Sequence, residues 1–158
     1  MFKIILLLTT SIFLFASFPA YSEESAKDTQ STPEATSTDH RQLVSMPVQA
    51  RDFMRQDMLD HLNALNEIIG YLAENKLDTA ADVAERRMGK SSMGKHRASG
   101  MGPGRFMPME MRNIGWGMHE AATEFSQISK QGDAKKAYAA LQKVTNACVA
   151  CHYTYRTR

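Results

Sequence analysis

The chain has 158 residues, with 19 Lys or Arg against 17 Asp or Glu, so its formal net charge is only +2 at pH 7. This near-neutral balance argues against a nucleic-acid-binding protein, which concentrates positive charge to neutralise phosphates. Once a targeting segment is removed, the length suits one domain.

Residues 1–22 have the pattern of a cleaved secretory signal peptide. Lys3 supplies a positive start, residues 4–18 form an apolar run, and Ala20 and Ser22 place small residues before a cleavage site. The run is shorter than the ~20 residues that a membrane-spanning helix needs, although an uncleaved anchor is the alternative. We therefore predict export to the periplasm and, because no second apolar run follows, no membrane attachment after cleavage.

Residues 23–44 are rich in Ser, Thr, Glu, Asp and Ala. A segment of this composition buries too little apolar surface to offset the entropy of ordering it, so we predict a disordered linker. The pattern changes after it, and residues 45–158 are predicted to form one helical domain.

The first predicted helix begins near Ser45, and Pro47 suits its first turn. Apolar residues then recur at spacings of four and three along one stripe: Met58, Leu62, Leu65, Ile69 and Leu72. This spacing predicts a helix over about residues 47–75 whose stripe packs against the other helices of a bundle.

Three further helices are predicted, separated by one long loop. A short Ala-rich helix covers residues 80–88, and the Gly- and Pro-rich residues 89–108 form the loop. Pro108 opens a third helix that ends at Gly132, and Asp133 caps the fourth. Because no segment alternates convincingly as a strand, we predict an all-α fold, an antiparallel four-helix bundle.

The fourth helix carries the motif Cys148-x-x-Cys151-His152, which is the attachment pattern of a c-type haem. Residues three and four apart share one face of a helix, so two thiols and one imidazole are presented together. The thiols can add to the two haem vinyl groups as thioethers, and the imidazole can reach the iron. We predict one covalently attached haem c, with Cys148 and Cys151 binding the porphyrin and His152 as the proximal iron ligand.

Other uses of two cysteines at this spacing fit less well. A thioredoxin-like redox pair should lie near a βαβ pattern, which this sequence lacks. A structural zinc site normally needs four protein ligands, and no second Cys pair exists. A disulfide between residues three apart on one helix would have poor geometry.

The segment from Cys148 to Arg156, with its Tyr155-Arg156 tail, resembles the C-terminal end of class II cytochromes c, the cytochrome c′ family and its low-spin relatives. Only six residues follow His152, so a sixth iron ligand is expected from upstream. The resemblance implies a four-helix bundle with haem between its first and last helices and Tyr155 and Arg156 covering the haem edge. It also implies a periplasmic role and allows a homodimer through the first two helices.

The residue facing the other side of the iron is expected on the first helix. The resemblance places an Arg one turn before that residue, which pairs Arg55 with Leu59, whereas the apolar stripe favours Met58. His61 lies three residues from Met58 and can also ligate. We predict Met58 as the sixth ligand, with His61 or an open site as the alternatives. Arg55, or else Arg51, is predicted to pair with a haem propionate because guanidinium binds carboxylates bidentately.

Methionine ligation stabilises ferrous iron, so the chain is predicted to be a mono-haem electron carrier that works with redox partner proteins. An open site would instead suit a small gas such as nitric oxide or carbon monoxide. No arrangement of nucleophile and base or of paired carboxylates is recognisable, so we expect no enzymatic activity.

The loop offers a third hypothesis, because six methionines surround His96 within residues 88–111. Exported Met- and His-rich segments can bind Cu(I) through soft thioether ligands. The simpler interpretation, which we favour, is that Met fills irregular gaps over the end of the bundle.

Overall fold

The computed structural model describes residues 39–158, so the predicted signal peptide and most of the predicted linker lie outside the described residues. Four helices dominate the described part: α1 (Val48–Ala73), α2 (Leu77–Met88), α3 (Met109–Ser129) and α4 (Ala134–Thr154). The predicted all-α four-helix bundle is therefore confirmed. No helix within residues 39–158 is long and apolar enough to cross a membrane.

The helix ends follow local signals in the sequence. Pro47 and Pro108 directly precede α1 and α3, where a proline loses no intrahelical hydrogen bond. The Asp133 carboxylate caps α4 by accepting the backbone N–H of Lys136 at 3.0 Å. Between α2 and α3 the loop winds through three single 3₁₀ turns rather than a regular element.

Consecutive helices pack side by side, with α1 on α2, α2 on α3 and α3 on α4. Small residues at the contacts let the backbones approach closely: Ala64, Ala80, Ala84, Ala122, Ala137 and Ala140. Larger side chains fill the space between them: Ile68, Leu72, Val83, Phe125, Leu141 and Val144. Burial of this apolar surface is the main stabilising term of the bundle.

The face of α1 that packs on the bundle is offset from the predicted stripe. Its buried residues are Ala50, Met54, Ala64, Ile68 and Leu72. By contrast, Met58, Leu62 and Ile69 are 38%, 65% and 51% exposed. Leu72 lies in the core and Leu65 packs against it. The expectation that the stripe packs between helices is therefore wrong for Met58, Leu62 and Ile69 only.

Two short strands, β1 (Gln42–Val44) and β2 (Tyr155–Thr157), pair in parallel and join the start of the described chain to its end. The Val44 side chain is buried in a small second core cluster with Met54 and Met111. The folded part therefore begins slightly before the predicted domain boundary, because Val44 has apolar partners far along the chain. The expectation of no strands is likewise corrected at these two segments.

Phe125 provides a test of the main core, where its side chain is fully buried. Phe125→Ala removes these contacts and leaves a cavity, so we expect the free energy of unfolding to fall by about 3–5 kcal/mol. Tyr138→Ala, at a half-exposed position on α4, should change it by less than about 1 kcal/mol. Urea unfolding of the haem-loaded variants, followed by circular dichroism, measures both values, and equal losses would contradict this core assignment.

Candidate functional site

A largely apolar cavity of about 670 Å³ lies between α1 and the C-terminal half of α4. Its volume lies within the range of cofactor sites. One wall comes from α1 and is mostly apolar: Met54, Met58, Leu59, Leu62 and Leu65. The exposed stripe of α1 is thus explained in part, because Met58 and Leu62 face this cavity rather than a neighbouring helix.

The opposite wall is formed by the C-x-x-C-H motif, since Cys148, Cys151 and His152 all line the cavity. The helix α4 continues to Thr154, so the three side chains keep the spacing that places them on one face. Cys148 packs against the main core, whereas Cys151 packs against the second cluster. The two sulfur atoms are therefore anchored to two separate parts of the core.

Both cysteines are free thiols and half-buried. Burial raises the pKa of the Cys148 thiol and of the Cys151 thiol, and for Cys151 the neighbouring Cys148 adds to this effect. Each thiol is held in its neutral, protonated form at neutral pH. This form suits addition across a vinyl double bond, in which sulfur and hydrogen are both transferred.

The predicted propionate partner Arg55 lines the cavity. Its side chain is largely exposed, and its nearest ion-pair contact is long, at 3.8 Å from Nη1 to Asp52 Oδ1. Arg55 is therefore free to turn toward a carboxylate at the cavity rim. Arg51, the other candidate, is not among the lining residues.

Two more arginines at the cavity are brought together by the strand pair. Arg41 Nη2 and Arg156 Nε lie 2.7 and 3.5 Å from Asp39 Oδ2, and the Arg41 hydrogen bond holds the pKa of Asp39 well below its usual range. Arg41 Nη1 also donates to the backbone carbonyl of His152 at 3.4 Å. Sequence reasoning missed Arg41 because it lies in the predicted linker, where nothing local indicates contact with the motif.

Met58, Leu59 and His61 all line the cavity, so the structure brings all three candidate residues to it. Met54 and Leu62, one helical turn before and after Met58, also line the cavity, and side chains four apart share a face. Leu59 is rotated away from this line and is 68% exposed.

His61 borders the cavity from the side nearer α3. Its ring makes an edge-on contact with the His119 ring, with centroids 5.9 Å apart. Burial, with a smaller effect of His119, lowers the pKa of His61 to about 4. The imidazole is therefore neutral at physiological pH.

These residues fit a haem. Methionine and leucine side chains suit the porphyrin faces, and two thiols three residues apart suit the two vinyl groups. His152 follows at the position from which an imidazole reaches the iron, and arginines at the rim match the propionate carboxylates. When bound, the haem supplies one-electron redox chemistry, while the protein fixes its position and shields it from water.

The family model described as cytochrome C′ matches residues 108–156, which cover α3, α4 and the start of β2. Over these residues the match supports the predicted resemblance to class II c-type cytochromes and a covalently attached haem c. No curated protein and no solved structure matches the chain. The matched residues do not include α1. The distal side of the haem is therefore argued from geometry alone.

The methionines around His96 have different surroundings. Met88 and Met111 are buried and line the haem cavity. His96 is tied to α1, because its Nε2 lies 3.0 Å from Asp57 Oδ1 and its ring stacks on Phe53 with centroids 4.2 Å apart. The loop is thereby fastened to the side of α1 that faces the bundle.

The lowered pKa of His61 makes stability depend on pH. His119 and Lys95 oppose its charge, whereas Asp57 and Asp60 favour it, and burial outweighs them all. In the unfolded chain the imidazole titrates near 6.5. Between about pH 6.5 and 4 the unfolded state therefore binds more protons, so stability falls as the pH falls.

Between pH 7 and 4.5 the free energy of unfolding should fall by about 2 kcal/mol less in His61→Gln than in the wild type. Urea unfolding of the ferric, haem-loaded protein at several pH values measures this slope. His40→Gln, at an exposed position, is the control and should keep the wild-type slope. A His61→Gln slope equal to that of the wild type would show that His61 is not held neutral by burial.

Proposed function

We propose that this c-type cytochrome is a periplasmic electron carrier whose iron is ligated by His152 on one side and Met58 on the other. The place of Met58 between Met54 and Leu62, on the face of α1 that lines the cavity with the motif, carries this proposal. Its side chain is 38% exposed into the cavity and is not locked into the core, so it is free to reach a ligand position.

A thioether on the sixth position favours ferrous iron and raises the reduction potential, which suits electron transfer. The apolar α1 wall also excludes water from that side. On the motif side, His152, Val149 and Tyr153 are exposed, the last two by 54% and 81%. The attachment site therefore lies at the protein surface, where a redox partner protein can approach.

Met58→Leu tests the ligand directly. We expect the ferric protein to lose its methionine-to-iron charge-transfer band, the reduction potential to fall, and the affinity of the ferrous iron for carbon monoxide to rise at least ~10-fold. Met54→Leu is the matched control, because Met54 lies on the same wall but is buried in the second cluster. The Met54 variant should keep the wild-type spectrum, and an unchanged Met58→Leu spectrum would exclude Met58 as the ligand.

Gas binding at an open distal site is the second candidate function. It is favoured by the non-ligating Leu59, Leu62 and Leu65 on the same wall and by the spacing of Leu59 from Arg55. In that case the wild-type ferrous iron binds carbon monoxide rapidly, Leu59→Ala speeds binding further, and Met58→Leu changes little. The homodimer implied by the family resemblance also remains a prediction, to which the exposed Ile69 on α1 would contribute.

Export is proposed from the sequence of residues 1–22, which has the pattern of a cleaved signal peptide. Full-length protein expressed in a bacterium with periplasmic haem attachment should appear in the osmotic-shock fraction, cleaved after Ser22 and stained for covalent haem. A variant that lacks residues 1–22 should stay in the cytoplasm without haem. Haem attachment to that variant would contradict the proposal.

A further inference from the structure

A second cavity, of about 450 Å³, lies between residues 92–107 and the first half of α3. We call it the loop cavity. Four cationic side chains and one indole form much of its wall: Lys95, Arg97, Arg105, Arg112 and Trp116. Among the described residues that line it, none is Asp or Glu. The loop cavity thus concentrates positive charge in a chain that is nearly neutral overall.

Three of these cations have no carboxylate partner within residues 39–158: Arg97, Arg105 and Arg112. Lys95 differs, because its Nζ lies 2.7 Å from Asp57 Oδ1 on α1. The positive charge available to a ligand therefore comes from the arginines.

Arg112 is held at the wall by one hydrogen bond, in which Nη2 donates to the backbone carbonyl of Met107 at 3.2 Å. Its Nε is enclosed and has no hydrogen-bond partner in the described part of the chain. A buried guanidinium without a carboxylate partner leaves its positive charge uncompensated, which favours an oxyanion at the cavity wall. Arg105 is anchored similarly, because its Nη1 donates to the Gly100 carbonyl at 3.2 Å.

The loop cavity also offers an apolar contact, the side chain of Trp116. Its side chain is 46% exposed and borders the loop cavity on α3. Met93 and Met107 also line the loop cavity. An indole and thioethers in one cavity offer apolar surface of the kind that binds aromatic rings.

We propose that the loop cavity binds a small aromatic carboxylate, with Arg112 and Arg105 holding its oxygens and Trp116 contacting its ring. Guanidinium groups match a planar carboxylate with two parallel hydrogen bonds, which lysine cannot provide. Cu(I) is a poorer occupant, because the unpaired arginine charges repel a cation despite the thioethers nearby.

Isothermal titration calorimetry of the haem-loaded protein tests this with benzoate, acetate and inorganic phosphate as probes. We expect benzoate to bind at one site, at least ~10-fold more tightly than acetate because of the ring contact. Trp116→Ala should remove this preference and leave acetate binding unchanged. Phosphate binding more tightly than benzoate would overturn the carboxylate assignment, and the absence of benzoate binding would overturn the site.

Variants that remove one positive charge distinguish benzoate binding in the loop cavity from non-specific attraction of an anion to the protein. Arg112→Gln and Arg105→Gln should each weaken benzoate binding at least ~10-fold, since each removes a charge-assisted hydrogen bond. Arg86→Gln on α2 is the matched control, because it removes the same charge outside the loop cavity. Equal weakening by Arg86→Gln would refute the site. If Arg112→Gln loses the native haem spectrum, Arg105→Gln, at an exposed position, decides the question alone.

Discussion

The presentation of Cys148, Cys151 and His152 on one face of α4 is the constraint on which the rest of the site depends. Side chains that share a helix face can hold a flat cofactor from one side only. The other side must be supplied by a different helix, and α1 supplies it with apolar residues. The remaining sides of α4 are left for α3 and the core. The fold is therefore a four-helix bundle with a gap between α1 and α4 that suits a haem.

The motif and the four helices could be predicted because their signals are local: fixed spacings, a capping Asp133, and prolines that precede helices. The rotation of α1 could not. Apolar residues that face a cofactor have the same period as those that face a helix, so hydrophobicity alone does not distinguish the two faces. The bundle-facing side also includes Asp57 and His61, which tertiary contacts with His96 and His119 make acceptable there.

Contacts between residues far apart in the chain could not be predicted either, for a related reason. The contact of Arg41 with His152 depends on parallel pairing between β1 and β2, and three-residue strands carry no periodicity to detect. Net charge likewise conceals Arg105 and Arg112, because acidic residues elsewhere balance them in the sum. Only the folded loop shows that these two guanidinium groups line one cavity. Sequence reasoning therefore located the haem motif, Arg55 and Arg156, but neither Arg41 nor the arginines of the loop cavity.

The choice between Met58 and Leu59 is set by contacts on the opposite side of α1. Adjacent residues point about 100° apart on a helix, so a modest rotation would exchange them. Arg87 of α2 resists this rotation, because Nη2 lies 2.5 Å from Asp60 Oδ1 and Nη1 lies 2.8 Å from Glu67 Oε1. The stacking of His96 on Phe53 fixes the preceding turn. Polar contacts outside the haem cavity thus help to fix the rotation of α1, and the proposed ligation by Met58 depends on that rotation as much as on the methionine itself.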